Sequence, residues 1–156
     1  MVKFYAEVAE ELTLYARQLG WFHATPKKSE SVSKEKPVTR QQDILNRGGT
    51  PLMPELQAEY LLGYWTSLGM VENHGQGPSP LSPSTVKDWA DSICIDLQPW
   101  EFAILLGMSR VYLDEFRQAE APDRPPPYGD PVNTFDRAAV SKKLGNAFKA
   151  FIQAKK

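Results

Sequence analysis

Cysteine is nearly absent from this sequence. Its 156 residues include one, Cys94, and two histidines, His23 and His74. One cysteine cannot close an internal disulfide, which suits a reducing cytoplasm. Cys94 falls in the apolar stretch Ile93-Cys94-Ile95 and is expected to be a buried thiol that packs as a small hydrophobe. One thiol and two separated imidazoles do not make a closed zinc site, so no metal is expected. Long apolar runs are missing too, and nothing approaches the roughly 20 residues of a membrane helix. Glu7 and the acids after it stand where a secretory leader would be apolar. The chain is therefore expected to stay in the cytosol, away from membranes. A basic excess is also lacking. Lys and Arg number 18 against 19 Asp and Glu, whereas phosphate neutralisation supplies most of a nucleic-acid binder's affinity. Nucleic acid is not an expected partner of the whole chain.

Catalytic signatures are equally scarce. Gly75-Gln76-Gly77 is a lone repeat, without the third glycine and preceding strand of a dinucleotide-binding loop. No serine elbow or His-Glu-x-x-His run occurs. Trp89, Asp91, Asp96, Trp100 and Glu101 form the densest aromatic and acidic cluster. Paired carboxylates can do acid–base work, but Asp91 is placed on a solvent face, Asp96 in a turn, and Glu101 in a first helical turn, where the helix dipole favours a negative charge. The expectation is a protein without catalytic residues or cofactors.

What is present is apolar patterning at helical spacing. Hydrophobic residues make up 42% of the chain, enough for a packed core, and no alternating Val, Ile and Thr run suggests a strand. The fold class expected is all-α: a small helical bundle with a tethered N-terminal helix and a C-terminal helix. Residues 1–22 read as an amphipathic helix. Tyr5, Val8, Ala9, Leu12, Tyr15, Ala16 and Leu19 share a face, Gly20 stops the run, and Trp21 and Phe22 follow, exposed. Residues 23–50 read as a flexible linker rich in Ser, Lys, Glu and Pro. Residues 51–121 form the helical core. Within it Leu56, Tyr60, Leu61, Tyr64, Trp65 and Leu68 make a wide stripe, Ser82-Pro83 starts a helix with Val86, Trp89, Ala90 and Ile93 inside, and Pro99 starts another. Residues 122–133 are a Pro-rich loop, and 134–156 a basic C-terminal helix with Val140, Leu144, Phe148, Phe151 and Ile152 on its apolar side.

Two elements are candidates for partner binding. Tethered by its linker, the first helix would lay Tyr5, Val8, Leu12 and Tyr15 into a partner's groove, with Trp21 and Phe22 adding exposed aromatic surface that also favours a homo-oligomer. In the last helix, Arg137, Lys142, Lys143, Lys149, Lys155 and Lys156 oppose only Asp136. Lys142, Lys143 and Lys149 would touch an acidic partner or RNA, or else form a solvated face. Residues 85–116 suggest helix-turn-helix, but Glu101, Arg110, Asp114, Glu115 and Arg117 nearly cancel, unlike a DNA-recognition helix.

The stretch Pro54 to Leu113 carries a resemblance. It contains Pro54-Glu55-Leu56, Tyr60-Leu61-Leu62-Gly63-Tyr64-Trp65, Gly77-Pro78-Ser79-Pro80-Leu81-Ser82, Val86-Lys87-Asp88-Trp89-Ala90, Leu97-Gln98-Pro99-Trp100-Glu101 and Met108-Ser109-Arg110-Val111-Tyr112-Leu113. This resembles the small helical proteins of the tail-assembly gene cluster of long-tailed bacteriophages, among them tail assembly chaperones. It spans under half of the chain, and its motifs are packing and capping features. The resemblance implies a non-enzymatic chaperone in the host cytoplasm that binds tail proteins, the tape measure or the tail tube, and leaves before the virion is complete. The alternatives are a structural virion component, such as a connector or completion protein, and a host-directed regulator.

Overall fold

The structure is a computed structural model and describes residues 2–27 and 36–129. Its elements, in order, are α1 (Val2–His23), α2 (Arg40–Asn46), α3 (Glu59–Ser67), β1 (Glu72–Asn73), β2 (Pro78–Ser79), α4 (Pro83–Ser92) and α5 (Pro99–Gln118). The all-α class holds. Among the described residues the one departure is the two-residue hairpin, in which Glu72 pairs with Ser79 and Asn73 with Pro78. Gly75 and Gly77 close it in positive-φ conformations that a side chain would disfavour.

The spine of the molecule is α1 against α5. Tyr5 stacks on Trp100 at one end, and Arg17 and Gly20 meet Glu115 and Tyr112 at the other. The two helices therefore run in the same direction. Val8, Leu12 and Ala16 of α1 are fully buried, together with Leu105 and Met108 of α5, Leu61 and Trp65 of α3, and Val86 of α4. Burying a large apolar side chain contributes about 1.5–3 kcal/mol, so the stripes of α1 and α5 stabilise each other. The expectation of a tethered first helix fails for that reason. The same apolar face that would enter a partner's groove already fills the groove of its own chain.

Gly20 is not a helix stop. α1 continues to His23, and a Cβ on Gly20 would lie 2.4 Å from the Tyr112 carbonyl oxygen. The glycine lets two backbones touch. Trp21 and Phe22, expected to be exposed, are 4% and 2% exposed. They pack with Ala24, Ile44 and Ala119 into a second cluster.

That cluster also revises the linker. Within 23–50, Thr39 caps α2 by accepting from the Gln42 amide, and Ile44 is driven into the Trp21 cluster. Arg40 stacks over the Trp21 ring and donates to the carbonyls of Ala119 and Ala121. A cation thus satisfies free carbonyls just beyond the C-terminus of α5. The Pro-rich loop is fastened as well: the Trp21 indole N–H donates to the Arg124 carbonyl, and the Tyr128 amide to Gln18 Oε1.

Three helices end in the same way. After α2, α3 and α4, the amide two residues past the cap bonds back to the carbonyl of Ile44, Trp65 and Ala90 respectively. Such a Schellman ending needs a left-handed residue, usually glycine. Gly48 and Gly69 supply it twice; Cys94, at φ 57°, supplies it the third time. Cys94 is therefore exposed rather than buried, and Ile93, expected on the core face, is 46% exposed.

A polar hub joins the elements below α3. Ser109 is fully buried; its hydroxyl donates to the Met70 carbonyl and accepts from the Leu81 amide. The Trp65 indole donates to that same carbonyl. Glu115, 2% exposed, is held by Arg17 of α1 and by both donors of Arg124. Burial alone would raise its pKa; the two guanidiniums overcome that and hold it below the usual carboxylate value.

Candidate functional site

The surface feature with the most recognition chemistry is a belt of aromatic rings across the ends of α1, α3, α4 and α5. Phe4 meets Tyr5 edge-on at 5.8 Å, and Tyr5 stacks on Trp100 at 4.6 Å. Tyr60 meets Tyr64 at 5.5 Å, and Tyr64 meets Trp89 at 5.5 Å. Glu101, the residue after Trp100, joins the two stretches by accepting from the Tyr60 hydroxyl at 2.6 Å. Phe4 and Tyr60 are 50% and 45% exposed, and the other four rings are half-buried.

Local structure explains why the belt is rigid. Glu101 also accepts from the Gln98 amide at 2.8 Å, closing the first turn of α5. This confirms the helix-start role expected for it and fixes the carboxylate beneath Tyr60. Partial burial, followed by that hydrogen bond and the Glu101 charge, pushes the Tyr60 hydroxyl well above its ordinary pKa, so it stays a donor. The Trp89 indole N–H donates to Ser67 Oγ at 3.3 Å, tying α4 to the end of α3.

Beside the belt lies an open groove of about 890 Å³. Tyr15 of α1, Pro54, Glu55 and Leu56 of the incoming chain, and Glu59, Leu62, Gly63, Thr66 and Ser67 of α3 line it. The chain is pinned there by Gln57, whose amide and side chain both donate to Glu11.

The residues expected to bind a partner scatter. Val8 and Leu12 are core, and so are Trp21 and Phe22. All four are unavailable to a partner, because the internal helix–helix contact consumes them. Tyr5 belongs to the belt and Tyr15 to the groove. Lys142, Lys143 and Lys149 lie outside the described residues. Among belt members, Tyr60, Tyr64 and Trp89 were legible as core stripe, and Trp89 and Trp100 also as part of the aromatic and acidic cluster. The available signal was width: residues 60 and 64 sit beside 61, 65 and 68 on a helix, too broad a set for one contact face.

Two further titratable groups, Glu72 and His23, serve the fold. The Thr85 hydroxyl, the Ser82 amide and His74 hold Glu72 down to about 2, in spite of its partial burial. This ties the hairpin to the start of α4. His23 packs on Tyr112, with its Nδ1 2.8 Å from the phenol oxygen, and burial lowers its pKa. Among the described residues, no three His, Cys, Asp or Glu side chains gather as metal ligands, and no helix is long and apolar enough to cross a membrane.

No protein-family model matches the chain, and no curated protein or solved structure matches it.

Proposed function

We propose that this chain is a non-enzymatic binding protein that docks a helical protein client on its aromatic belt. The observation that carries the reading is the belt itself: six Phe, Tyr and Trp rings from four helices, held by edge-on, tilted and stacked ring contacts and by Glu101. Tyr and Trp dominate binding hot spots because they bury large area at little entropic cost. A run of half-buried rings with Phe4 and Tyr60 exposed at its edge supports an interaction face.

Four of the six rings, Tyr60, Tyr64, Trp89 and Trp100, stand in the stretch that resembles phage tail-cluster proteins. That supports a client among phage tail proteins, the tape measure or the tail tube, held during tail assembly in the host cytoplasm. A long helical tape-measure protein exposes apolar stripes before assembly, and a rigid aromatic face is suited to cover them.

The test is recovery of the tagged chain from phage-infected or prophage-induced cells, with mass spectrometry of what accompanies it. Tape-measure or tail-tube protein in the eluate, together with absence of the chain from finished particles, supports the chaperone. Host factors alone would replace it with a host-directed regulator, and persistence in particles with a virion component.

A further inference from the structure

We propose that the segment the belt receives is cationic: a helix of the client protein whose apolar stripe is flanked by Lys and Arg. The inference rests on the reading of the belt as a docking face and adds the chemistry of what docks there. Three observations carry it.

The first is where the acids are. The belt rings come from the start of α1, from α3, from α4 and from the turn into α5. The sequence of those elements, residues 2–11, 54–68 and 83–101, holds nine Asp and Glu against two Lys. The opposite end of the α1–α5 spine differs. Residues 12–27, 40–47 and 110–124 hold seven Lys and Arg against five Asp and Glu. Acidity is thus a property of the belt end and not of the chain as a whole. Charge of one sign on an interaction face steers in partners of the other sign and rejects those of its own.

The second is how the acids stand to the rings. Glu59 directly precedes Tyr60 in α3, Asp88 directly precedes Trp89 in α4, and Asp96 stands in the turn before Trp100; all three acids are exposed. The two lysines of these elements do not offset them. Lys3 lies beside Glu7 at 3.8 Å, and Lys87 donates to Asp91, each one turn along its own helix. The apolar centre of the face therefore has a rim whose sign is set by carboxylates, and the rim is where charge selects the partner.

The third is the rings themselves. The faces of Tyr and Trp attract cations. Tyr60 donates its hydroxyl proton to the Glu101 carboxylate at 2.6 Å. A hydrogen bond to a fixed anion polarises the phenol and strengthens its ring face toward a cation. The molecule already contains one contact of this kind, the Arg40 guanidinium 4.6 Å from the Trp21 ring centre. On the belt, Lys and Arg stems of the client would lie along the rings, with their charged heads directed to Glu59, Asp88 and Asp96.

The full-length protein and two synthetic amphipathic helical peptides test this. The peptides share one Leu stripe and carry either Lys or Glu at their polar positions. Wild type is expected to bind the Lys peptide about tenfold or more tighter than the Glu peptide at low salt, with the gap shrinking as salt is added. Equal affinities, tighter binding of the Glu peptide, or no binding of the Lys peptide overturns the proposal. Two matched removals of charge locate the effect. Glu59→Gln with Asp88→Asn should weaken the Lys peptide about threefold or more, whereas Asp114→Asn with Asp123→Asn, at the other end of the spine, should leave it unchanged; equal losses overturn the proposal. The variant Phe4→Ala, Tyr60→Ala separates this inference from the reading beneath it. If it weakens both peptides while wild type binds them alike, the belt docks helices regardless of charge and only the cationic client falls. If it weakens neither, the docking face falls as well.

Discussion

Two of the glycines inside helices, Gly20 and Gly63, mark a closed side and an open side of the molecule. At Gly20 the backbone of α1 lies against the Tyr112 carbonyl with no room for a methyl group. At Gly63 the same methyl would meet nothing among the described residues. The closed side is the α1–α5 spine, extended by the Trp21 cluster and fastened by the buried Glu115 between Arg17 and Arg124. The open side is α3 with its groove and the belt beside it. Local sequence is the same kind of exception in both cases, and only the partner surface differs. Gly107 of α5 also meets nothing among the described residues, so a helical glycine reports a close backbone neighbour only where one is present.

The largest effect should come from the point where the two sides meet. Trp65 is fully buried, contacts Tyr112 edge-on and donates to the Met70 carbonyl. Trp65→Ala is expected to cost about 3–5 kcal/mol, read from chemical denaturation. A loss below 1 kcal/mol would mean that α3 is not anchored on the spine.

Next is the contrast itself. Gly20→Ala must push α1 off the Tyr112 carbonyl, with an expected loss of about 1–3 kcal/mol. Gly63→Ala, whose methyl meets nothing within 4 Å among the described residues, should instead gain about 0.5–1 kcal/mol from helix propensity. The same substitution with opposite sign is the sharpest form of the comparison; equal effects would erase it.

Acid should weaken the closed side and the hairpin together. Glu72, held to about 2, and Glu115, also lowered, have ordinary values of 4.5. As pH falls below about 4.5, the unfolded chain takes up protons that the folded one refuses, so stability drops progressively towards pH 2. His23 has its pKa lowered from 6.5 by burial, and adds a loss of the same sign as pH falls below 6.5. Denaturant midpoints should stay nearly level from pH 8 to about 6.5 and decline from there to pH 3, and His23→Gln should flatten the upper part of that decline.

The smallest effect belongs to the end of α4. Cys94→Gly removes the left-handed strain at φ 57° and should stabilise by roughly 0.5–1 kcal/mol, visible as a small rise in melting temperature. A destabilised variant would show that the Cys94 side chain makes a contact that matters.

Much of the fold was legible because local rules and tertiary packing agreed. Val8, Leu12 and Ala16 declared one face of α1. Ser82-Pro83 and Pro99 with Glu101 declared two helix starts, and the structure has caps at both. α2 was legible in principle, since Thr39 followed by Gln42 is a capping-box spacing, but the surrounding polar residues masked one buried Ile44. Gly20 was not legible as an interior residue: the atom that decides its role, the Tyr112 carbonyl, is distant in sequence. Cys94 looked buried because its neighbours are isoleucines, yet a left-handed ending turned it outward. The belt was hidden for a related reason. Tyr60 and Tyr64 count as apolar in a periodicity argument, and only the packing of Leu61 and Trp65 shows which half of the stripe faces in.

The central functional claim, that the belt holds a client, is tested most directly by binding of purified tape-measure fragments to wild type and to the variant Phe4→Ala, Tyr60→Ala. Both side chains are about half exposed, so the spine should remain folded, with an unchanged denaturant midpoint to within about 1 kcal/mol. The account predicts saturable binding by wild type and at least a tenfold weaker Kd for the variant. Equal binding by the two proteins, or no binding by either, would contradict it.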